Sequence, residues 1–361
     1  MTDDTNTGAP TTLKIAVLPG DGIGRDVTDA AVAVLHAATR GWSDVRLELR
    51  ESPAGATEFL RTGSDLPEVT LAACRESDAV LLGAMGLPDV RKPDGRELTP
   101  QIDLREILDL YCGLRPVQLF HASDTPLKRL EAGAIDFIIV RENTEGLFWA
   151  RSEQGNSSNA EMRDTMRISR GASERLFRSA FRLAEKRRRK VTLVDKANVL
   201  PSMVFFRRIF DEVAEEYPDV ETERMYVDAA ALHLVRRPES FDVLVTENMF
   251  GDILSDLSAA LIGGMGMAPS ADIGDQTAVF QPAHGTAPDI AGQGIANPIA
   301  TILSAAMMLD WLERPECGTA AERIRGAVTA TLSDPEFRTP DMGGRVTTQE
   351  MTAAIVARLQ G

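Results

Sequence analysis

The chain has 361 residues, and 39 basic against 54 acidic side chains leave a formal charge of −15. So acidic a balance disfavours a nonspecific nucleic-acid binder, which needs a basic footprint. With 43% apolar residues there is material for a sizeable core, and the length suits two or three domains at ~150 residues each.

No uninterrupted apolar run approaches the ~20 residues that span a bilayer. Three scattered cysteines, Cys74, Cys112 and Cys317, are too few for a disulfide framework or a zinc site. The opening MTDDTNTGAPTT has neither the basic start nor the apolar core of a signal peptide. These features predict a soluble, cytoplasmic protein with an unstructured lead-in over residues 1–12.

In chain order, Leu13–Leu18 is a short β-leaning run that stops at Pro19-Gly20-Asp21-Gly22-Ile23-Gly24. Asp26–Ala38 then takes a helical period. Val45–Leu49, Ala79–Leu82, Phe137–Val140, Val191–Val194 and Asp242–Thr246 read as further strands between helix-like stretches. Strands alternating with helices predict an α/β protein with a mostly parallel sheet. The basic run Lys186–Lys190 falls where a helix closes before a strand, a position in which cations suit the helix dipole. No linker-like composition marks a domain border.

Gly20, Gly22 and Gly24 stand where a strand turns into a helix, the setting in which backbone N–H groups cradle phosphate. The dinucleotide fingerprint needs a further glycine at position 25, and Arg25 is there, so the turn reads as a tight strand-to-helix connection and not a Rossmann site. Asp252 and Asp256, four apart at a helix start, share one face; their hard oxygens suit Mg²⁺ or Mn²⁺, and equally an acid near a helix amino terminus is favoured by the dipole. Arg105, Arg115 and Arg141 each sit beside an apolar run, and planar guanidinium groups clamp carboxylates in pairs of hydrogen bonds. Lys196 directly follows a strand, as a proton acceptor or a solvated lysine would. The Gly/Pro-punctuated stretch Pro282–Pro298 carries His284, Asp289 and Asn297 and reads as a functional loop. His36, His121 and His233 read as structural or surface residues.

Seven segments in order, LPGDGIG, LDLYCGLRPV, VRENTEG, VDKANVL, YVDAAALHLV, TENMFGDILSDLSAALIGGMGMAPSA and HGTAPDIAGQGIANP, make the chain resemble the β-decarboxylating dehydrogenases. This family comprises the isocitrate, isopropylmalate, homoisocitrate, tartrate and D-malate dehydrogenases. The resemblance runs from about residue 13 to the carboxyl end. It implies an α/β isopropylmalate dehydrogenase-like fold, distinct from Rossmann. Residues 1–110 plus 263–361 would form a large cofactor-binding domain, and 111–262 a small dimerisation domain, with the active site in the cleft between them. The resemblance assigns Arg105, Arg115 and Arg141 to malate-like carboxylates, with Thr99 and Gln101 beside the substrate's 3-substituent. It assigns Asp252 and Asp256, with Asp228 of the partner subunit, to Mg²⁺ or Mn²⁺. Lys196, also across the dimer, would help remove the hydroxyl proton. His284, Gly285, Thr286, Ala287, Asp289 and Asn297 would hold NAD; a carboxylate at 289 accepts from a ribose hydroxyl and repels a 2′-phosphate.

Two positions depart from the family. Its catalytic tyrosine, which protonates the enolate carbon, is Phe148 here, a ring with no ionisable O–H. Water or another side chain protonates instead, or the substrate needs no such help, or the chain is a regulatory partner that binds without turnover. Retention of Lys196, Asp228, Asp252 and Asp256 predicts activity. Thr99 and Gln101 match in type the polar pair of isocitrate enzymes, whereas isopropylmalate enzymes present an apolar pair there. Asp103 is unexpected beside an anionic substrate. The sequence thus predicts NAD-dependent, metal-dependent oxidation, with decarboxylation, of a malate bearing a polar 3-substituent; the alternatives are an isopropylmalate- or tartrate/D-malate-type substrate.

Overall fold

The structure, a computed structural model, describes residues 10–152 and 161–360. In chain order the elements are β1 (Thr11–Gly20), α1 (Gly24–Ala38), β2 (Val45–Glu51), α2 (Ala56–Thr62), α3 (Glu68–Arg75), β3 (Ala79–Ala84), α4 (Pro100–Ile107), β4 (Cys112–Gln118) and β5 (Asp136–Glu142). There follow α5 (Arg170–Glu185), β6 (Lys190–Asp195), α6 (Pro201–Ala214), β7 (Glu221–Tyr226), α7 (Val227–Arg236), β8 (Val243–Thr246) and α8 (Asn248–Ala260). The chain closes with β9 (Pro269–Ile273), β10 (Ala278–Pro282), α9 (Ile299–Trp311), α10 (Pro315–Leu332) and α11 (Thr348–Gln360). Of the expected lead-in, residues 1–9 lie outside the described residues, while Thr11 and Thr12 are not unstructured: they pair with Val45 and Arg46 as the start of β1.

All ten strands join one sheet in the order β2-β1-β3-β10-β9-β4-β5-β8-β6-β7. Both flanks are parallel, and the three antiparallel ladders fall together at the centre, β10 on β9, β9 on β4 and β4 on β5. The inner flanking strands obey the rule for parallel sheets covered on both faces, while the edge strands β2 and β7 are largely exposed. Ile15, Ala16, Val17 and Leu18 are buried in succession, as are all six residues of β3. Helix α9 is apolar all round, which suits its seat against β10 and β9. Helix α5 is amphipathic and inserts Phe177 and Phe181 against Phe206 and Phe210 of α6, with ring centroids 4.6–5.4 Å apart.

The glycine turn is a tight connection, as read. Gly22 has φ +56°, and a Cβ there would lie 2.0 Å from the Thr286 carbonyl oxygen, so only glycine lets the turn dock on the 282–298 loop. Ile23 N–H donates to that same carbonyl at 2.8 Å. Asp21 is buried and accepts from the backbone N–H groups of Ala56, Thr57 and Gly86, which fixes the start of α2. The basic run does follow α5 and precede β6, but its arginines do more than face a dipole. Arg187 holds Asp136 and Asp242 at 2.8 Å each, and Arg188 holds the Asp136 carbonyl, so the run fastens the beginnings of β5 and β8. Among the described residues, no helix is long and apolar enough to cross a membrane.

Glu142, at the end of β5, is buried and accepts from the Thr144 hydroxyl and the Thr144 and Glu145 N–H groups. Burial outweighs these bonds and holds its carboxyl up at about 7, against an ordinary 4.5. A group whose pKa rises on folding costs stability as pH climbs from the unfolded value through the folded one, here by at most about 3 kcal/mol. Glu142→Gln is therefore expected to flatten the loss of stability between about pH 5 and about pH 8, as read from denaturant midpoints at the two pH values.

Candidate active site

Arg105 comes from the last turn of α4, Arg115 from the middle of β4 and Arg141 from the carboxyl end of β5, where it is in register with Thr246 of β8. Carboxyl ends of strands are where open α/β sheets gather ligands. The three side chains converge on a cavity of ≈ 230 Å³, together with Gln101, Ile102, Phe148, Asp252, Asp256, His284 and Gly285.

One carboxylate organises this cluster. Asp272 of β9 is fully buried and accepts from Arg105 Nε at 2.8 Å, Arg115 Nη2 at 3.0 Å, Asn143 Nδ2 at 2.8 Å and Gln281 Nε2 at 2.6 Å. Burial alone would raise its pKa, but Arg105 and Arg115 reverse that and hold it far below the carboxylate range. Arg141 is anchored separately, by Asn248 Oδ1 at 3.0 and 2.7 Å and by Asp252. Burial and the charge of Arg105 lower its pKa to about 10, which still leaves it cationic at neutral pH. Its guanidinium lies 5.2 Å from the Phe148 ring centroid.

Asp252 and Asp256 stand one turn apart on α8 and both face the cavity. Burial and then the charge of Asp252 raise the Asp256 pKa, against the opposing pull of Arg141 and Arg115. Such a pair of hard oxygen donors fits a divalent cation. It is half a site: among the described residues, no group of three His, Cys, Asp or Glu side chains is placed to hold a metal. Asp228 and Lys196 do not line the cavity. They pair with each other, Nζ to Oδ1 at 2.7 Å, at the ends of β6 and the start of α7, and that bond keeps the Asp228 carboxyl below its ordinary range.

Of the substrate residues, Gln101 faces the cavity and its Oε1 is buried with no hydrogen-bond partner. Thr99 does not line it; its hydroxyl accepts from Arg151 at 3.5 Å. The unexpected Asp103 points elsewhere, paired with Arg151 at 2.9 Å and Lys92 at 3.9 Å, so it exerts no unscreened repulsion on a bound anion. Neither neighbouring ring replaces the missing tyrosine hydroxyl. The Tyr111 O–H faces Asp275 and Ser179, and Trp149 lies under Arg167.

In the 282–298 loop, His284 and Gly285 reach the cavity. His284 Nδ1 donates to the Gly285 carbonyl at 2.9 Å, and burial lowers its pKa, so the ring is neutral with its buried Nε2 lone pair unused. That orphaned acceptor beside an open strip of glycine backbone fits a nucleotide cofactor. Thr286, Ala287 and the exposed Asp289 follow along the loop without lining the cavity. Asn297 is committed within the chain, accepting from Ile299 N–H and donating to Asp341, both at 3.1 Å. Asp272, Gln281, Asn143 and Asn248 were not singled out by sequence reasoning. Asn143 and Asn248 lie within the segments VRENTEG and TENMFGDILSDL that carry the resemblance, whereas Asp272 and Gln281 had no local signal of a site.

The family profile described as isocitrate/isopropylmalate dehydrogenase matches residues 14–355. The chain belongs to this family. It is accordingly an oxidoreductase, an NAD-dependent dehydrogenase of the decarboxylating type acting on a CH–OH group. It is 44% identical over 357 residues to the 3-isopropylmalate dehydrogenase of Aquifex aeolicus, covering 96% of this chain and 97% of that protein. Against the enzyme of the same name from Priestia megaterium it is 49% identical over 307 residues, 82% of each. Among solved structures it is similar to isocitrate dehydrogenase from Methylococcus capsulatus, with TM-score 0.86, 38% identity and coverage of 97% and 100%. A β-decarboxylating dehydrogenase from Thermococcus kodakarensis gives TM-score 0.80 and 42% identity over 96% of both chains. The fold is thus the isopropylmalate dehydrogenase-like α/β type that the resemblance implied, in agreement with the failed Rossmann fingerprint.

Removing one partner of a buried ion pair costs about 3–5 kcal/mol and frees the rest to move. Asp272→Asn in this dehydrogenase is expected to lower stability by about that amount. It should also raise KM for the hydroxy acid more than it lowers kcat; urea unfolding and steady-state kinetics check both.

Proposed function

We propose that this dehydrogenase oxidises C2 of a 3-substituted malate and releases CO₂, using NAD and Mg²⁺ or Mn²⁺, in the cytoplasm. The carrying observation is the charge balance of the cavity. Three guanidinium groups and two carboxylates, Asp252 and Asp256, line the cavity; the buried Asp272 behind Arg105 and Arg115 is a third carboxylate and the neutral His284 adds nothing, so the cluster is electroneutral as built. A divalent cation would leave two positive charges, those that a dicarboxylate neutralises; a third carboxylate would go uncompensated. This favours an uncharged 3-substituent, lying against Gln101 and Ile102. The unpaired Gln101 oxygen favours a substituent that donates a hydrogen bond. Ile102 and the names of the curated relatives support the runner-up, 3-isopropylmalate.

In this reading Arg105, Arg115 and Arg141 bind the two carboxylates and Asp272 keeps the first two guanidinium groups aimed. Asp252 and Asp256 would hold the cation with Asp228 of the partner subunit, and Lys196 of the partner subunit would draw off the hydroxyl proton. When bound, the cation supplies positive charge where negative charge develops on the substrate, and NAD accepts the hydride. Residues 284–289 and Asn297 would line the cofactor's path, with Asp289 against a 2′-phosphate. The exposed apolar side chains Leu232 and Val235 on α7 and Ile253 on α8, on the helices that carry Asp228 and Asp252, support a homodimer. The division into residues 1–110 with 263–361 and 111–262 is supported by the apolar cluster running from Tyr111 to Phe250. Phe148 excludes water from Arg141 but has no proton to give, so C3 takes its proton from water or another group.

NADH formation is the test, across malate, tartrate, isocitrate, 3-isopropylmalate and a 3-hydroxyalkyl malate with Mn²⁺. The expected ranking puts the uncharged substituents first, with NAD preferred over NADP. Isocitrate as the best substrate overturns the charge argument, and NADP used as well as NAD overturns the role of Asp289. No turnover with any of them favours a regulatory subunit. Phe148→Tyr restores a positioned acid, an effect worth ~10²–10⁴-fold in the step it serves. Decarboxylated product is therefore expected to form at least about tenfold faster in that variant, as measured in single-turnover experiments.

A further inference from the structure

We propose that the chain carries a second small-molecule site, on the reverse of the sheet from the catalytic cavity, for an amphipathic monoanion: an apolar body bearing one carboxylate or sulfonate head. A cavity of ≈ 670 Å³ lies there, within the ~300–1,000 Å³ of small-molecule sites. Its floor is the antiparallel centre of the sheet. Side chains alternate across a strand, so Leu114, Ile273 and Phe280 face this cavity while their neighbours Arg115, Asp272 and Gln281 face the catalytic one. Helix α9 covers β9 and β10, and α5 covers β5 and β8; the trough is what lies between the two helices.

The walls are apolar where they meet the floor: Leu183 from α5, and Leu303, Met307 and Trp311 from α9. The charges at the rim are uneven. Asp136 is held by Arg187 and Arg188, and Asp310 by Arg325. Arg182 in the last turn of α5 and Lys186 just past its end have no ion pair within 4 Å among the described residues, and Glu216, held by Arg178, feels Arg182 only at longer range. Two uncompensated cations at one end of an apolar trough complement an anionic head on an apolar body.

The test uses the full chain saturated with NAD and Mn²⁺, so that the catalytic face is blocked. Anilinonaphthalene sulfonate and its uncharged parent, anilinonaphthalene, are titrated by fluorescence, with transfer from Trp311 as the local signal. One saturable site per chain is expected. Arg182→Glu with Lys186→Glu should weaken the sulfonate at least about tenfold and leave the uncharged parent within about twofold. Arg182→Gln with Lys186→Gln, a milder pair, should act in the same direction if the reversal unfolds the helix end. Met307→Trp, which fills the trough, should remove both probes at an unchanged thermal midpoint. No saturable binding, competition with NAD, or a sulfonate affinity untouched by either pair overturns the proposal.

Discussion

The Asp272 carboxylate is the interaction on which the catalytic geometry rests. Packing Arg105, Arg115 and Arg141 around one small cavity stacks like charges in a place where water screens them poorly. The carboxylate answers that by giving two of the three guanidinium groups a shared, buried acceptor. Its four donors come from α4, β4, the turn after β5, and β10, so one side chain ties together parts of the chain as far as 167 residues apart in sequence. Arg141 lies outside this tie and is steered instead by Asn248 and Asp252 at the start of α8. In the proposed function, substrate recognition and cation binding would therefore meet at that single guanidinium.

The proposed division of labour between copies rests on the same layout. Lys196 and Asp228 satisfy one another away from the pair on α8. In that proposal one chain would supply the anion-recognising groups, and Lys196 and Asp228, beside exposed apolar side chains on α7, would serve the partner subunit. Burying such side chains is the ordinary driving force for association.

The inner strands of the parallel flanks were legible because they are buried on both faces and so read as aliphatic runs, whereas the edge strand β7, ETERMY, is mostly exposed and polar and was not read as a strand. The strands β9 and β10 were not: PSADI and AVFQP are short, carry prolines and small residues, and have no pattern that separates them from a loop. With them went Asp272 and Gln281, whose partners are set by sheet order and not by local spacing. Helical phase accounts for what the resemblance alone assigned around Arg105. Gln101 and Arg105 are four apart on α4 and share a face, whereas Asp103, two before the arginine, is turned to the opposite side and meets Arg151. The motifs carried the family, but no motif showed that Asn297 spends both ends of its amide within its own chain.

The centre of the sheet is a partition one residue thick, polar on one side and oily on the other. Sliding β4 by a single position against β9 would present Leu114 to the substrate and Arg115 to the oily side, because adjacent residues exchange faces. The pairing of Cys112, Gly113 and Leu114 with Ile273, Asp272 and Ala271 thus has two chemistries depending on it. Insertions or deletions here have no neutral placement.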